Sequence, residues 1–300
     1  MRAFCAFIAW VTEPIENTHF IIAVVTPLSD RNEKSHTNAC ALTGYAKKDE
    51  WLSGMRGGYY KYNCVKIIEK RKNILYNILY KIKYKIEGNK MTDIYSYISE
   101  DMLSNTYLIV DSDSKEAAVV DPSHKPSVFG VEFSGLKIKY ILLTHGHFDH
   151  IYKAEQYRRD YGAEVCIHKA DAELLADAAK NCSSLFMPQP ILVSKAEIEL
   201  DDGASVYLGG TEIRVMHTPG HTLGSVCFLC GDEMFCGDTL FRGSRGRTDF
   251  YGGSELEMAH SLQKLKEIKK NYTIYAGHGA ASTLDREKKY NNYMLYTRID

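Results

Sequence analysis

The 300-residue chain has no apolar run long enough to cross a membrane as a helix. Its two candidates, Ala3 to Val11 and Phe20 to Val25, fall well short of the roughly 18–20 residues required. The first follows Arg2, but Trp10 and Glu13 stand where a signal peptide needs small residues for cleavage, which argues against secretion. A disulfide framework is missing too: eight cysteines lie at irregular spacings in a chain large enough to build its own core. A reducing compartment, the cytoplasm, is the expected location. Positive charge is scarce where a phosphate backbone would need it, since residues 91–300 carry 22 Lys+Arg against 30 Asp+Glu. Neither nucleic acid nor a membrane is therefore an expected partner. No internal repeat is visible.

Residues 1–90 differ from the rest, with 15 Lys+Arg against 8 Asp+Glu. The segment "KIIEKRKNILYNILYKIKYKIEGNK" interleaves lysine with apolar residues in a pattern that suits neither a helical stripe nor a solvated strand along its whole length. Glu87 to Met91 is necessarily encoded by a purine-rich stretch ending in a methionine codon, and composition becomes that of an ordinary folded domain from there. Residues 1–90 are thus expected to be a non-domain leader, disordered or preceding the natural start, with the folded domain spanning 91–300.

Within 91–300, short apolar runs alternate with helical patterns. "TYLIV" and "AAVVD" read as paired strands joined by the turn "DSDSKE", and "KIKYILLT" as a third. "FDHIYKAEQYRRDYG" reads as one helix stopped by Gly162, followed by the strand "AEVCIH" and the helical "KADAELLADAAK". Two strands joined through Gly209 and Gly210 follow, then the hairpin "SVCFLCGDEMFCGD", the amphipathic helix "SELEMAHSLQKLKEIKK", the strand "YTIYAGHG" and a short terminal helix. Such alternation implies an α/β layered domain. The C-x-x-C at Cys227 and Cys230 lies in a strand pattern, where a spacing of three puts the thiols on opposite faces and makes them core residues.

The densest chemistry is "THGHFDH", residues 144–150. In an extended segment His145 and His147 point the same way and can share one ion, while Asp149 and His150, where the chain turns into a helix, face an adjacent position. "HTPGHTLGS" adds His221, "CGDTLF" adds Asp238 and "AGHGAASTL" adds His278, each placed after a strand.

With these motifs the sequence resembles the metallo-β-lactamase superfamily, and within it the glyoxalase II-like hydrolases, over roughly Tyr95 to Tyr293. The resemblance implies a four-layer αββα sandwich with two metal ions at the sheet edge. His145, His147 and His221 would hold the first ion, Asp149, His150 and His278 the second, and Asp238 would bridge them. Zinc is the foremost candidate for such imidazole and carboxylate ligands, with iron or manganese as alternatives. Paired ions about 3.5–4 Å apart generate a hydroxide near neutral pH, so no serine or cysteine nucleophile is needed.

The implied activity is hydrolysis of a small thioester or ester of the hydroxyacylglutathione type, with Asp149 and Asp238 as catalytic carboxylates. Arg247, in "GRTDF", either orients its loop through Asp249 or binds a substrate carboxylate. Only 22 residues follow His278, too few for the helical glutathione-binding domain of full-length glyoxalase II, so a small single-domain form is expected. Ser123 and Asn292 replace a glycine and a proline common in the family. The competing reading is a persulfide dioxygenase-like enzyme, which resembles this chain in its motifs but binds one iron through two histidines and a carboxylate.

Overall fold

The computed structural model describes residues 92–129 and 133–296, together with three strands nearer the N-terminus. The chain divides into two compact units, Met1–Ile86 and Glu87–Asp300. In the first, β1 (Ala6–Ile15), β2 (Thr18–Val25) and β3 (Cys40–Gly44) form an antiparallel sheet in that order. The rest of the leader expected over 1–90, including its lysine-rich segment, lies outside the described residues.

Two six-stranded sheets form the second unit. One runs β4 (Thr92–Tyr97), β5 (Thr106–Asp111), β6 (Glu116–Val120), β7 (Lys137–Leu142), β8 (Glu164–His168), β9 (Ile198–Leu200) in spatial order. The other runs β10 (Ser205–Leu208), β11 (Thr211–His217), β12 (Val226–Cys230), β13 (Glu233–Gly237), β14 (Thr273–Ala276), β15 (Ser282–Thr283). Antiparallel hairpins begin each sheet. Strands β6 to β9 pair in parallel, as do β13 and β14, and each of those pairings leaves a crossover connection.

Side-chain parity sorts the strands into layers. Tyr107, Ile109, Ala118, Val120 and Leu142 of the first sheet meet Val215, Val226, Phe228 and Phe235 of the second in a core between the sheets. Their neighbours Leu108, Val110, Val119 and Ile141 point outward onto Ile151, Ala154 and Tyr157. These belong to α1 (Phe148–Ile151) and α2 (Ala154–Tyr161). Beyond them lies the single-turn α3 (Ser183–Phe186).

On the far side Cys227, Met234, Cys236 and Ile274 cover Met258, Leu262 and Leu265 of α4 (Glu255–Glu267). The same layer takes in Leu284 of α5 (Leu284–Tyr290) and Met294 of α6 (Asn292–Tyr296). Each such fully buried Leu, Ile or Phe contributes about 1.5–3 kcal/mol, and the outcome is the four-layer αββα sandwich. Cys227 and Cys230 fall on opposite faces, as their spacing requires. Among the described residues no helix is long and apolar enough to cross a membrane.

Two helical readings need correction. The helix expected from Phe148 to Gly162 is broken, because Lys153 N donates to Pro122 O (2.7 Å) and the carbonyl it would have used, on Asp149, accepts from Ser104 N and Ser123 Oγ. Its second half still ends at Gly162, whose φ of 66° closes the turn onto Arg158 O. "KADAELLADAAK" is a 3₁₀ segment over Lys169–Ala176, not an α-helix. Its Asp171 is drawn inward to bond other loops. The polar edge strand β4 and the three-residue β9 gave no clear sequence signal.

Candidate metal centre

All seven expected ligands stand just beyond strand ends on one edge of the sandwich. His145 and His147 follow β7, Asp149 and His150 lie in α1, His221 sits in the turn after β11, Asp238 follows β13 and His278 follows β14. The structure brings them together as His145, His147 and His221, as Asp149, His150 and His278, and as Asp238 with His145 and His150. The closest donor atoms are His147 Nδ1 and His221 Nε2, at 2.9 Å. His278 Nε2 lies 3.1 Å from Asp149 Oδ2 and 3.7 Å from Asp238 Oδ2. Asp238 also reaches His150 Nε2 (3.3 Å) and His221 Nε2 (3.5 Å), so it touches members of both triads.

Do these residues fit metal ions? Ligands held tetrahedrally at about 2.1 Å stand about 3.4 Å from one another, and the observed separations bracket that value. Burial points the same way. His145 Nε2, His147 Nε2, His150 Nε2 and Asp238 Oδ1 are buried without a hydrogen-bond partner, an arrangement that is costly unless something else satisfies them. Gly277 leaves the required room: a Cβ there would overlap Asp238 Oδ1 and come within 2.7 Å of His150 Cε1. The donor set therefore suits divalent cations.

Electrostatics separate the two triads. Burial, reinforced by neighbouring imidazoles, holds His145 well below the usual histidine range and His147 down at about 3. For His150, burial works in the same direction but is overcome by the carboxylates of Asp121, Asp149 and Asp238, which push it well above that range. His278 is also raised, by Asp149 and Asp238 against its burial.

Three supporting residues escaped sequence reasoning. Asp121 ends β6 and accepts from Thr144 N (2.8 Å), Thr144 Oγ1 (2.7 Å) and His150 Nδ1 (2.8 Å), leaving His150 Nε2 directed at the other ligands. Asp171 accepts from Gly146 N (3.0 Å), Thr222 Oγ1 (2.7 Å) and Gly224 N (2.6 Å), fastening the His145–His147 loop to the His221 turn. Asn105 donates from Nδ2 to Ala276 O and Gly279 O, fixing the turn that carries His278.

Arg247 pairs with Asp249, the first of its two expected arrangements, and adds a backbone contact. Its backbone carbonyl accepts from His221 Nδ1 (2.7 Å), which frees Nε2 for the centre. Its guanidinium forks onto Asp249 (2.6 and 2.7 Å) and lies over the Phe250 ring. Ser123 fills the space a glycine would leave, its hydroxyl reaching Asp149 O and Ser104 Oγ.

Above the ligands opens a cavity of about 390 Å³ that reaches His147, Asp149, His221, Asp238 and His278 and is walled by phenylalanines. Residues 100–278 match the Metallo-beta-lactamase superfamily. The hydroxyacylglutathione hydrolase GloC of Haemophilus influenzae is 32% identical over 196 residues, covering 63% of this chain and 92% of its own. Among solved structures, the BLEG-1 B3 metallo-beta-lactamase superposes with a TM-score of 0.62 at 30% identity, over 68% of this chain and 99% of that one. TTHA1623 in a di-iron-bound form gives 0.55 at 30% identity, over 66% and 99%. The αββα layers, the ligand cluster at their edge and a sequence match that runs to His278 itself agree, and the chain belongs to the metallo-beta-lactamase superfamily.

Proposed function

We propose that the protein is a dinuclear metal-dependent hydrolase that cleaves a small thioester or ester of the hydroxyacylglutathione type. One observation carries this reading: two triads of expected ligands, touched in common by Asp238, cluster beneath an open cavity that reaches members of both. His145, His147 and His221 would hold one ion, Asp149, His150 and His278 the other, with zinc the expected metal and iron or manganese the alternatives. Bound there, such ions polarise a carbonyl and lower the pKa of water toward roughly 7.

The chain's own groups prepare that chemistry. Asp121 and the Arg247 carbonyl each accept a hydrogen bond from the Nδ1–H of a histidine, His150 and His221, and so keep the opposite nitrogen turned inward. Asp149 and Asp238 are held in the ionised form because the histidines around them outweigh their burial. They are the carboxylates available to orient or accept a proton from the attacking water. Cys182 also lines the cavity, but burial and Asp149 push its thiol up, which disfavours a thiolate nucleophile.

The test is metal analysis of the purified protein beside two assays, thioester hydrolysis and persulfide-dependent oxygen uptake. About two metals per chain with hydrolysis is expected, and His147→Ala and Asp238→Ala should each abolish turnover while circular dichroism stays native. One iron per chain with oxygen uptake would overturn the proposal.

A further inference from the structure

The walls of the cavity carry information that the ligands do not. Phe148 and Phe186 stack at 5.7 Å between ring centroids, Phe186 meets Phe250 edge-on at 5.9 Å, and Phe250 meets the His147 ring at 5.8 Å. On the other side Phe241 lies edge-on to His278 at 6.0 Å. A continuous aromatic path thus runs from the surface, where Phe186 is 45% exposed and Met102 54% exposed, down to rings of the metal centre. Exposed aromatic and thioether side chains at the mouth of a cavity cost hydration, which an apolar ligand relieves.

Lysine and arginine are nearly absent from the lining. Among the described residues lining the cavity, Arg247 is the sole Lys or Arg, and both arms of its guanidinium fork are already taken by Asp249 while its flat face lies 3.9 Å from the Phe250 ring centroid. A substrate carboxylate would have to displace Asp249 from a bidentate pair to reach it. Resting on the hydrolase reading above but departing from its glutathione-type thiol portion, we infer that the site selects thioesters by an apolar, ring-sized or short branched acyl group and is indifferent to the charge of the thiol portion, so that an anionic tripeptide thiol gains little from this cavity.

The test separates binding from turnover. The metal-loaded full chain is titrated calorimetrically with three stable thioether analogues: the phenethyl and methyl thioethers of N-acetylcysteamine, and S-phenethylglutathione. The neutral phenethyl analogue is expected to bind at least about tenfold tighter than the methyl one. Glutathione in place of the neutral thiol should change affinity less than about threefold, with no dependence on salt between 50 and 300 mM. Phe186→Ala should reduce the phenethyl advantage about fivefold or more and Phe186→Trp should retain it.

A glutathione analogue that binds tenfold tighter, with affinity falling as salt rises, would overturn the inference. So would a phenethyl advantage untouched by Phe186→Ala. Parallel turnover of the phenylacetyl and acetyl thioesters reports on the reaction itself. Tight, Phe186-dependent binding without any hydrolysis would refute the hydrolase while supporting the apolar specificity.

Discussion

Asp121 shows how a single side chain serves the site without touching a substrate. It holds φ at 48°, a left-handed conformation that costs an ordinary L-residue about 1 kcal/mol. The return is a carboxylate that accepts from Thr144 twice and from His150 Nδ1. Asparagine tolerates the same φ and keeps the shape, so Asp121→Asn should fold normally. It offers one acceptor oxygen instead of two and no charge, so metal affinity is expected to fall about 10–100-fold. Competition with a chromophoric chelator reads this directly, and an unchanged affinity would refute the role. The cluster of seven expected ligands was legible because four crowd into "HGHFDH" and the other three sit in Gly- or Pro-marked strand ends. Asp121 and Asp171 were not: each is a lone acidic residue well away from the motif it supports, and only the fold brings it there.

At the scale of elements, strand parity and hairpin turns were readable because period two survives any tertiary context that buries one face. Helix continuity was not, since it depended on which carbonyls remained free. The chain breaks at Lys153 because distant groups claim Asp149 O, and Lys169–Ala176 tightens to a 3₁₀ segment that delivers Asp171 to two loops at once. Asp171 is fully buried, with burial raising its pKa, and three donors converge on it. Asp171→Ala would leave Gly146 N and Gly224 N unpaired, each loss costing about 1–3 kcal/mol, and Thr222 Oγ1 with Ser225 Oγ alone. A destabilisation of about 3 kcal/mol or more is therefore expected in urea unfolding, together with loss of metal from the His145–His147–His221 side. A change below about 1 kcal/mol would show that water replaces the carboxylate.

Across the second unit as a whole, its two six-stranded sheets are joined at both ends. At one end the ligands come from both, four following β7 and three following β11, β13 and β14, so bound metal would cross-link the sandwich. Chelation should lower Tm and make it dependent on free metal concentration, as for any ligand bound only by the native state. Differential scanning calorimetry with and without chelator checks this.

The other end is pinned by Glu116, which accepts from Gly209 N in the β10–β11 turn (2.8 Å) and pairs with Lys137 (3.0 Å) and Lys139 (3.3 Å) near the start of β7. The Gly209 N–H, then the lysines, hold its carboxyl down at about 2 against an ordinary 4.5. A depressed acid stabilises the fold fully above its unfolded pKa and ceases to do so as pH falls through the folded one. Glu116→Gln should thus lower Tm by a constant amount from pH 7 to about 5, corresponding to roughly 1 kcal/mol or less because solvent screens the pair. Below about pH 4.5 the gap between the two proteins should narrow and close toward pH 2. Melting curves of both proteins in chelator isolate this clip, and a gap that stays constant down to pH 3 would mean the glutamate acts through shape instead of charge.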